Sequence, residues 1–162
     1  VELLRKLIVE QIRVYQRTNA VRAEKFSEIL ANAMSNYLKG MLTNEEVIEE
    51  LLKTARAIVN GEEESKKLNL TTEELAFYDA ITKPQAVQDF YTNEQLVAIT
   101  RELTDALRTN KTIDWNMKES ARAGMRRIIK RLLKKYKYPP EGQETALETI
   151  MIQCEMWSEN NA

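Results

Sequence analysis

The chain has 162 residues, of which 43% are apolar, and its 24 basic and 25 acidic residues leave a formal net charge of −1. A chain of this length can bury a hydrophobic core unaided, and its four glycines and three prolines are too few for a fold rich in turns. The absence of histidine excludes serine–histidine and cysteine–histidine nucleophilic sites and removes the commonest metal ligand.

The sequence carries no targeting or membrane signal. No apolar run approaches the roughly 20 residues that span a bilayer, and the first residues lack the charged and apolar regions of a signal peptide. We therefore expect a cytoplasmic protein with no membrane partner. The chain starts at Val1, without methionine, directly in a helical pattern, so we expect an excised piece of a larger protein. Cys154, the only cysteine, cannot form an internal disulfide and is predicted to be buried on a helix.

Three helices are predicted in the first part of the chain. Apolar residues recur every three to four positions over 1–15 and again over 26–38, where Gly40 is expected to end the helix. Thr43 to Glu46 has the spacing of a capping box and predicts a third helix, which Asn60-Gly61 is expected to stop. The polar residues 61–68 then form either a flexible connector or an exposed continuation of that helix.

The third helix begins with four closely spaced glutamates that could be read as a cation site: Glu45, Glu46, Glu49 and Glu50. Acidic residues in the first turns of a helix are better explained by their favourable interaction with its dipole and by solubility. We predict the second role, and therefore no metal site and no bound cofactor in this chain.

A second capping signal, Thr71 to Glu74, predicts a short helix that Pro84 ends, because the residue before a proline disfavours helical geometry. Its Phe77 and Tyr78 are expected to pack against a core. A turn or short helix then reaches Phe90, and apolar spacing over 96–107 predicts another helix, with Asn93 as a candidate cap.

The next predicted helix is long, is capped by Asp114 and carries an apolar stripe from Ala121 to Tyr136. Pro139-Pro140 ends it, and Pro140 can serve as the first residue of a last helix that reaches Trp157. The sequence thus predicts an all-α fold, with six or seven helices in a single domain over residues 1–162.

Charge is concentrated in that long helix. Residues 111–137 contain ten basic and two acidic residues, whereas residues 138–162 contain no basic and five acidic ones. At about 100° per residue the cations lie opposite the apolar stripe. The candidate contacts are Arg126, Arg127, Lys130, Arg131, Lys134 and Lys135.

Several roles are open to these cations. They could be a solvated face, or they could bind an acidic protein surface, an acidic segment of the same domain, or the phosphates of DNA without reading its sequence. A membrane-surface role is disfavoured because the core needs the apolar stripe. No G-x-x-x-x-G-K-[ST] loop occurs, so no ATP hydrolysis and no catalytic residue is predicted.

Three blocks of sequence together resemble a known family. The blocks are Leu70 to Ala80 (LTTEELAFYDA), Thr112 to Trp115 (TIDW), and Arg126 to Tyr136 (RRIIKRLLKKY) running into Tyr138-Pro139-Pro140. In order and spacing they resemble the C-terminal helical domain of the restriction subunit, the motor and endonuclease subunit, of type I restriction–modification enzymes. The helix from Thr43 to Ile58 is similar to that family as well.

The resemblance implies a noncatalytic part of a large subunit. Elsewhere that subunit would carry nuclease and ATPase domains and would be an ATP-dependent type I site-specific deoxyribonuclease that uses ATP and magnesium. The C-terminal region would dock it onto the methyltransferase core of modification and specificity subunits. The expected partners are therefore those subunits, the remaining domains of the restriction subunit and, as an alternative, double-stranded DNA.

Overall fold

The computed structural model describes residues 1–110 and 119–160, and this part of the chain is helical with no strands. Seven of its helices have at least 11 residues, and an eighth is a single turn. This confirms the all-α prediction. The helices are α1 Glu2–Thr18, α2 Ala20–Leu38, α3 Asn44–Lys67, α4 Thr72–Thr82, α5 Gln85–Gln88, α6 Asn93–Asn110, α7 Glu119–Lys135 and α8 Pro140–Asn160.

Packing divides the chain into two compact units, Val1–Asn69 and Leu70–Ala162. The first contains α1 to α3 and the second contains α4 to α8. The assignment of residues 1–162 to a single domain stays a prediction. In the described residues no helix is both long and apolar enough to cross a membrane.

The first unit buries one apolar side from each of its three helices. Ile8, Ile12 and Tyr15 of α1 pack in one cluster with residues of α2 and α3. Gly40 ends α2 as predicted. It adopts a left-handed φ of 76°, and the Met41 amide donates back to the Asn36 carbonyl, which satisfies a helix end.

The predicted stop at Asn60-Gly61 is wrong, because α3 continues to Lys67. Long-range contacts hold this last stretch in place. The Tyr15 hydroxyl donates to the Glu62 carboxylate, and the Arg22 guanidinium donates to the Ser65 hydroxyl over 2.6 Å. Ser65 is itself buried, so residues 61–67 continue the helix with one packed side. Leu68 caps this end, and Asn69 after it takes a left-handed φ.

Two of the predicted helix starts are confirmed by complete capping boxes, at Thr43 with Glu46 and at Thr71 with Glu74. The proposed cap of α6 at Asn93 is wrong. The hydroxyl of Thr92 accepts from the Gln95 amide at 3.2 Å, and the Gln95 side chain accepts from the Thr92 amide at 2.8 Å. Thr92 and Gln95 thus form the reciprocal pair one position earlier.

The second unit encloses a core built from α4, α6, α7 and α8. Phe77 is 1% exposed and meets Trp157 edge to face, which confirms the packing role predicted for it. Cys154 is also fully buried as predicted, and burial raises the pKa of its thiol. The predicted cap Asp114 lies outside the described residues.

The candidate interaction surface on α7

Helix α7 is anchored by its apolar side. Met125, Ile129 and Leu133 are at most 2% exposed. They recur every four residues, so their side chains lie on one side of the helix and face the second unit's core. The apolar stripe predicted from the sequence is therefore confirmed over the described residues, and it fixes which side of α7 faces solvent.

Two cations at the borders of this apolar side are held by other helices of the same unit. Arg122 forms an ion pair with Glu155 of α8. Lys135 donates to Glu102 of α6 at 2.6 Å, and the Tyr136 hydroxyl donates to the same carboxylate. The hydrogen bonds from Lys135 and Tyr136 lower the pKa of Glu102, and the hydrogen bond to Glu102 raises the pKa of Lys135. We call Arg122 and Lys135 the edge cations.

The remaining five candidate cations have no partner of this kind, and we call them the outward cations. They are Arg126, Arg127, Lys130, Arg131 and Lys134. All five are exposed, and none forms an ion pair with any residue that the structure describes. Five positive charges on two and a half turns, about 12 Å of helix, produce a strongly electropositive strip.

An open groove of about 820 Å³ runs between α7 and α8 beside this strip. The α7 wall carries the side chains of Lys130, Arg131 and Lys134. The apolar lining of the groove includes Leu133 of α7 and the half-buried Leu147 of α8. The volume lies within the range of about 300–1,000 Å³ that is usual for ligand clefts.

The corner between α7 and α8 is fixed by several local contacts. Lys137 takes a left-handed φ of 56°, and the Tyr138 amide donates to the Leu133 carbonyl at 2.9 Å. The buried Tyr138 hydroxyl donates to the Ile81 carbonyl at the end of α4 over 2.6 Å. Pro140 begins α8 as predicted. A Cβ on Gly142 would lie 2.8 Å from Pro84, so this close approach requires glycine.

The described residues provide no candidate metal centre. They contain no group of three or more histidine, cysteine, aspartate or glutamate side chains that could hold a metal ion. The glutamates at the start of α3 are exposed, and Glu46 completes the capping box with Thr43. Positive charge beside an apolar groove can bind carboxylates or phosphates together with an apolar side chain.

The six cations proposed from the sequence as contacts fall into two groups in the structure. Five are the outward cations, and the sixth, Lys135, is an edge cation bound to Glu102. Sequence reasoning did not find the groove, because Leu147 lies on the next helix and reads only as a core position of α8. The proximity of α7 and α8 follows from the Tyr138-Pro139-Pro140 corner, which was the one available signal.

The chain belongs to the family of C-terminal regions of type I restriction endonuclease subunits. The family described as "Type I restriction enzyme HindI endonuclease subunit-like, C-terminal" matches residues 1–160, which confirms the resemblance seen in the sequence.

Two curated relatives are also named endonuclease subunits of type I restriction enzymes. The chain is 36% identical over 160 residues to the type I restriction enzyme HindI endonuclease subunit of Haemophilus influenzae, covering 99% of the chain and 15% of that subunit. It is 33% identical over 135 residues to the putative MjaIXP endonuclease subunit of Methanocaldococcus jannaschii, covering 83% of the chain and 13% of that subunit. No solved structure matches the chain.

Proposed function

We propose that this chain is a noncatalytic assembly module that docks the endonuclease subunit of a type I restriction enzyme onto its methyltransferase core of modification and specificity subunits. The observation that supports this role is the strip of outward cations, which have no carboxylate partner among the described residues and lie on a helix anchored by its apolar side. An acidic surface of another subunit would supply the missing carboxylates.

The chain would act within a much larger subunit, since it spans 15% of the length of the HindI relative. In this proposal, cleavage and ATP-dependent translocation of DNA, with ATP and magnesium as cofactors, belong to the other domains of that subunit. The chain itself would contribute binding and no catalytic residue.

A binding titration of the chain against the methyltransferase core tests this role. We expect the core to bind, and reversal of four outward cations to glutamate (Arg126, Arg127, Lys130 and Arg131) to weaken binding at least a hundredfold. The matched control reverses four exposed cations of the first unit, Lys6, Lys25, Lys53 and Arg56. Both variants change the net charge equally, so an equal loss in both would contradict the proposal, as would the absence of binding by the unaltered chain.

A second candidate function is sequence-independent binding to the DNA backbone during translocation. It is favoured by the same five cations, since phosphate contacts need positive charge and no base-reading side chain. This function predicts binding to any duplex, with an affinity that falls steeply as salt rises. A titration against a 30-base-pair duplex at two salt concentrations distinguishes it from docking, which requires binding to the core without DNA.

A further inference from the structure

The groove between α7 and α8 has walls of opposite charge. On one side Lys130 and Lys134 stand one helical turn apart, with Arg131 beside them. On the other side the exposed Glu144 carboxylate belongs to α8, which carries no cation after Pro140. No ion pair in the described residues joins Glu144 to these cations.

The apolar part of the groove offers a ligand a second kind of contact, beside the charged walls. Leu133 is buried at 2% exposure, whereas Leu147 is only half-buried and still faces the open space. A ligand that inserted an apolar side chain beside Leu147 would remove apolar surface from water, and each fully buried leucine-sized side chain contributes about 1.5–3 kcal/mol. The groove thus offers an apolar contact and charged contacts side by side.

These features favour a protein segment over a nucleic acid backbone. Phosphates lying along the groove would approach Glu144 and would gain nothing from Leu147. An amphipathic helix can place carboxylates four residues apart, about 6 Å between Cβ atoms, which is the spacing of Lys130 and Lys134. The same helix can direct apolar side chains into the groove and neutral or basic ones toward α8.

We propose that the α7–α8 groove binds an acidic amphipathic helix of the partner subunit, with carboxylates on Lys130 and Lys134 and an apolar side chain against Leu147. The inference rests on the proposed docking function and specifies the chemistry of the docked segment. It assigns DNA no place in the groove.

The probe is a synthetic 18-residue helical peptide with glutamates at every fourth position along one edge and leucines along the adjacent face. A control peptide replaces those glutamates with lysine. We expect the acidic peptide to bind the chain and the control peptide not to bind. Failure of the acidic peptide to bind, or equal binding of both peptides, would overturn the proposal.

Two pairs of variants locate the peptide. Leu147→Asp places a charge in the groove and should weaken binding of the peptide and of the methyltransferase core at least tenfold. Its control is Ile152→Asp, because Ile152 is on the same helix, is 54% exposed and does not line the groove. Equal effects of the two substitutions would contradict the proposed apolar contact.

The second pair avoids any effect on packing, since it alters only exposed side chains. Lys130→Ala with Lys134→Ala should weaken peptide and core binding at least tenfold. Arg126→Ala with Arg127→Ala removes the same charge from the same helix outside the groove and should have at least a threefold smaller effect. If the two double variants behave alike, the strip acts as a diffuse charge and the groove does not select the ligand.

Different results would contradict the docking proposal and the groove proposal. If the core binds but Leu147→Asp and Lys130→Ala with Lys134→Ala leave that binding unchanged, the groove is wrong and docking stands. If the core does not bind, docking onto it is wrong, and the peptide titration still decides whether the groove accepts an acidic helix. If only the DNA duplex binds, and Leu147→Asp leaves its affinity unchanged, the groove proposal is overturned and the backbone-binding function is favoured.

Discussion

The edge cations and the outward cations of α7 carry the same charge on the same helix, yet they have different surroundings. Lys135 and Arg122 lie beside the apolar side and reach carboxylates of α6 and α8. Arg127 and Lys130 are exposed, and no carboxylate of the described chain comes within ion-pairing distance of either. Whether a cation of α7 is paired therefore depends on which carboxylates the neighbouring helices α6 and α8 bring close to it.

This difference predicts that the edge cations contribute to the free energy of unfolding and the outward cations contribute to binding. A cation that has a partner within its own unit contributes mainly to the fold, whereas an unpaired exposed cation adds positive potential and little stability. Substitutions at the two sets should consequently have opposite profiles. Edge substitutions should lower the free energy of unfolding, and outward substitutions should lower the affinity for an acidic partner.

The largest expected effect comes from removing the apolar anchor that both sets of cations depend on. Ile129 is fully buried, so Ile129→Ala should lower the free energy of unfolding by about 2–5 kcal/mol. Ile152→Ala, at a 54% exposed position of α8, should change it by less than about 0.5 kcal/mol. Urea unfolding followed by circular dichroism measures both values. Equal losses at the two sites would mean that the apolar side does not hold α7.

A pair of glycine substitutions tests the corner that positions the edge carboxylate Glu155 on α8. In Gly142→Ala the new methyl group would overlap Pro84, and we expect a net loss of about 1–2 kcal/mol after the gain in helix propensity. The matched Gly124→Ala in α7 meets only an arginine side-chain atom at 4.0 Å and should stabilise by about 0.5–1 kcal/mol. A stabilising Gly142→Ala would show that α8 can move away from Pro84.

Removal of an edge partner should have a smaller effect. Glu102→Ala deletes the acceptor of both Lys135 and Tyr136, and because this carboxylate is 37% exposed we expect a loss of about 1 kcal/mol. Lys135→Ala should cost less, since the Tyr136 hydrogen bond remains. Urea unfolding at neutral pH compares the two variants. A Glu102→Ala variant as stable as the unaltered chain would remove the distinction between edge and outward cations.

The pH dependence refines the same test. The pKa of Glu102 is lowered in the folded chain, so its contribution is present above the pKa of an unfolded glutamate, about 4.3, and is lost as the pH falls. The stability difference between the unaltered chain and Glu102→Gln should stay constant from pH 6 to 8 and should shrink as the pH falls below about 4. A difference that grows in acid would contradict the ion pair.

The smallest effect on stability is expected for the outward cations. Arg127→Ala should change the free energy of unfolding by less than about 0.5 kcal/mol, because its side chain is exposed and forms no ion pair with the described residues. The thermal unfolding midpoints of Arg127→Ala and Lys135→Ala compare the two sets directly. A larger loss for Arg127→Ala would show that this arginine has a structural role.

Local patterns predicted the fold where the decisive interactions were local. Thr43 and Thr71 were identified as caps because a capping box involves residues only three positions apart. Gly61 was misread because glycine costs a helix interior only about 1 kcal/mol, which contacts of α3 with Tyr15 and Arg22 offset. Those contacts join residues more than 40 positions apart, so no local pattern contains them.

The sequence likewise predicted the candidate site only where its interactions are local. The periodicity of α7 gave its cationic side, but the partner of Lys135 lies 33 positions earlier in the chain, on α6. The capping-box spacing of Thr92 and Gln95 is itself a local signal for the start of α6, one position before the candidate cap Asn93. The groove required the relative positions of two helices, which the sequence sets through packing and not through any motif.

The Tyr138 hydrogen bond to Ile81 should affect how fast a partner binds and how much binding free energy is lost to ordering the groove. Because the corner is already locked in the folded unit, the two walls of the groove are preorganised, and a partner need not spend binding free energy on ordering them. Association would then be limited by diffusion and electrostatic steering instead of by a conformational change. A surface of this kind can alter its affinity by side-chain substitution alone while its backbone stays the same.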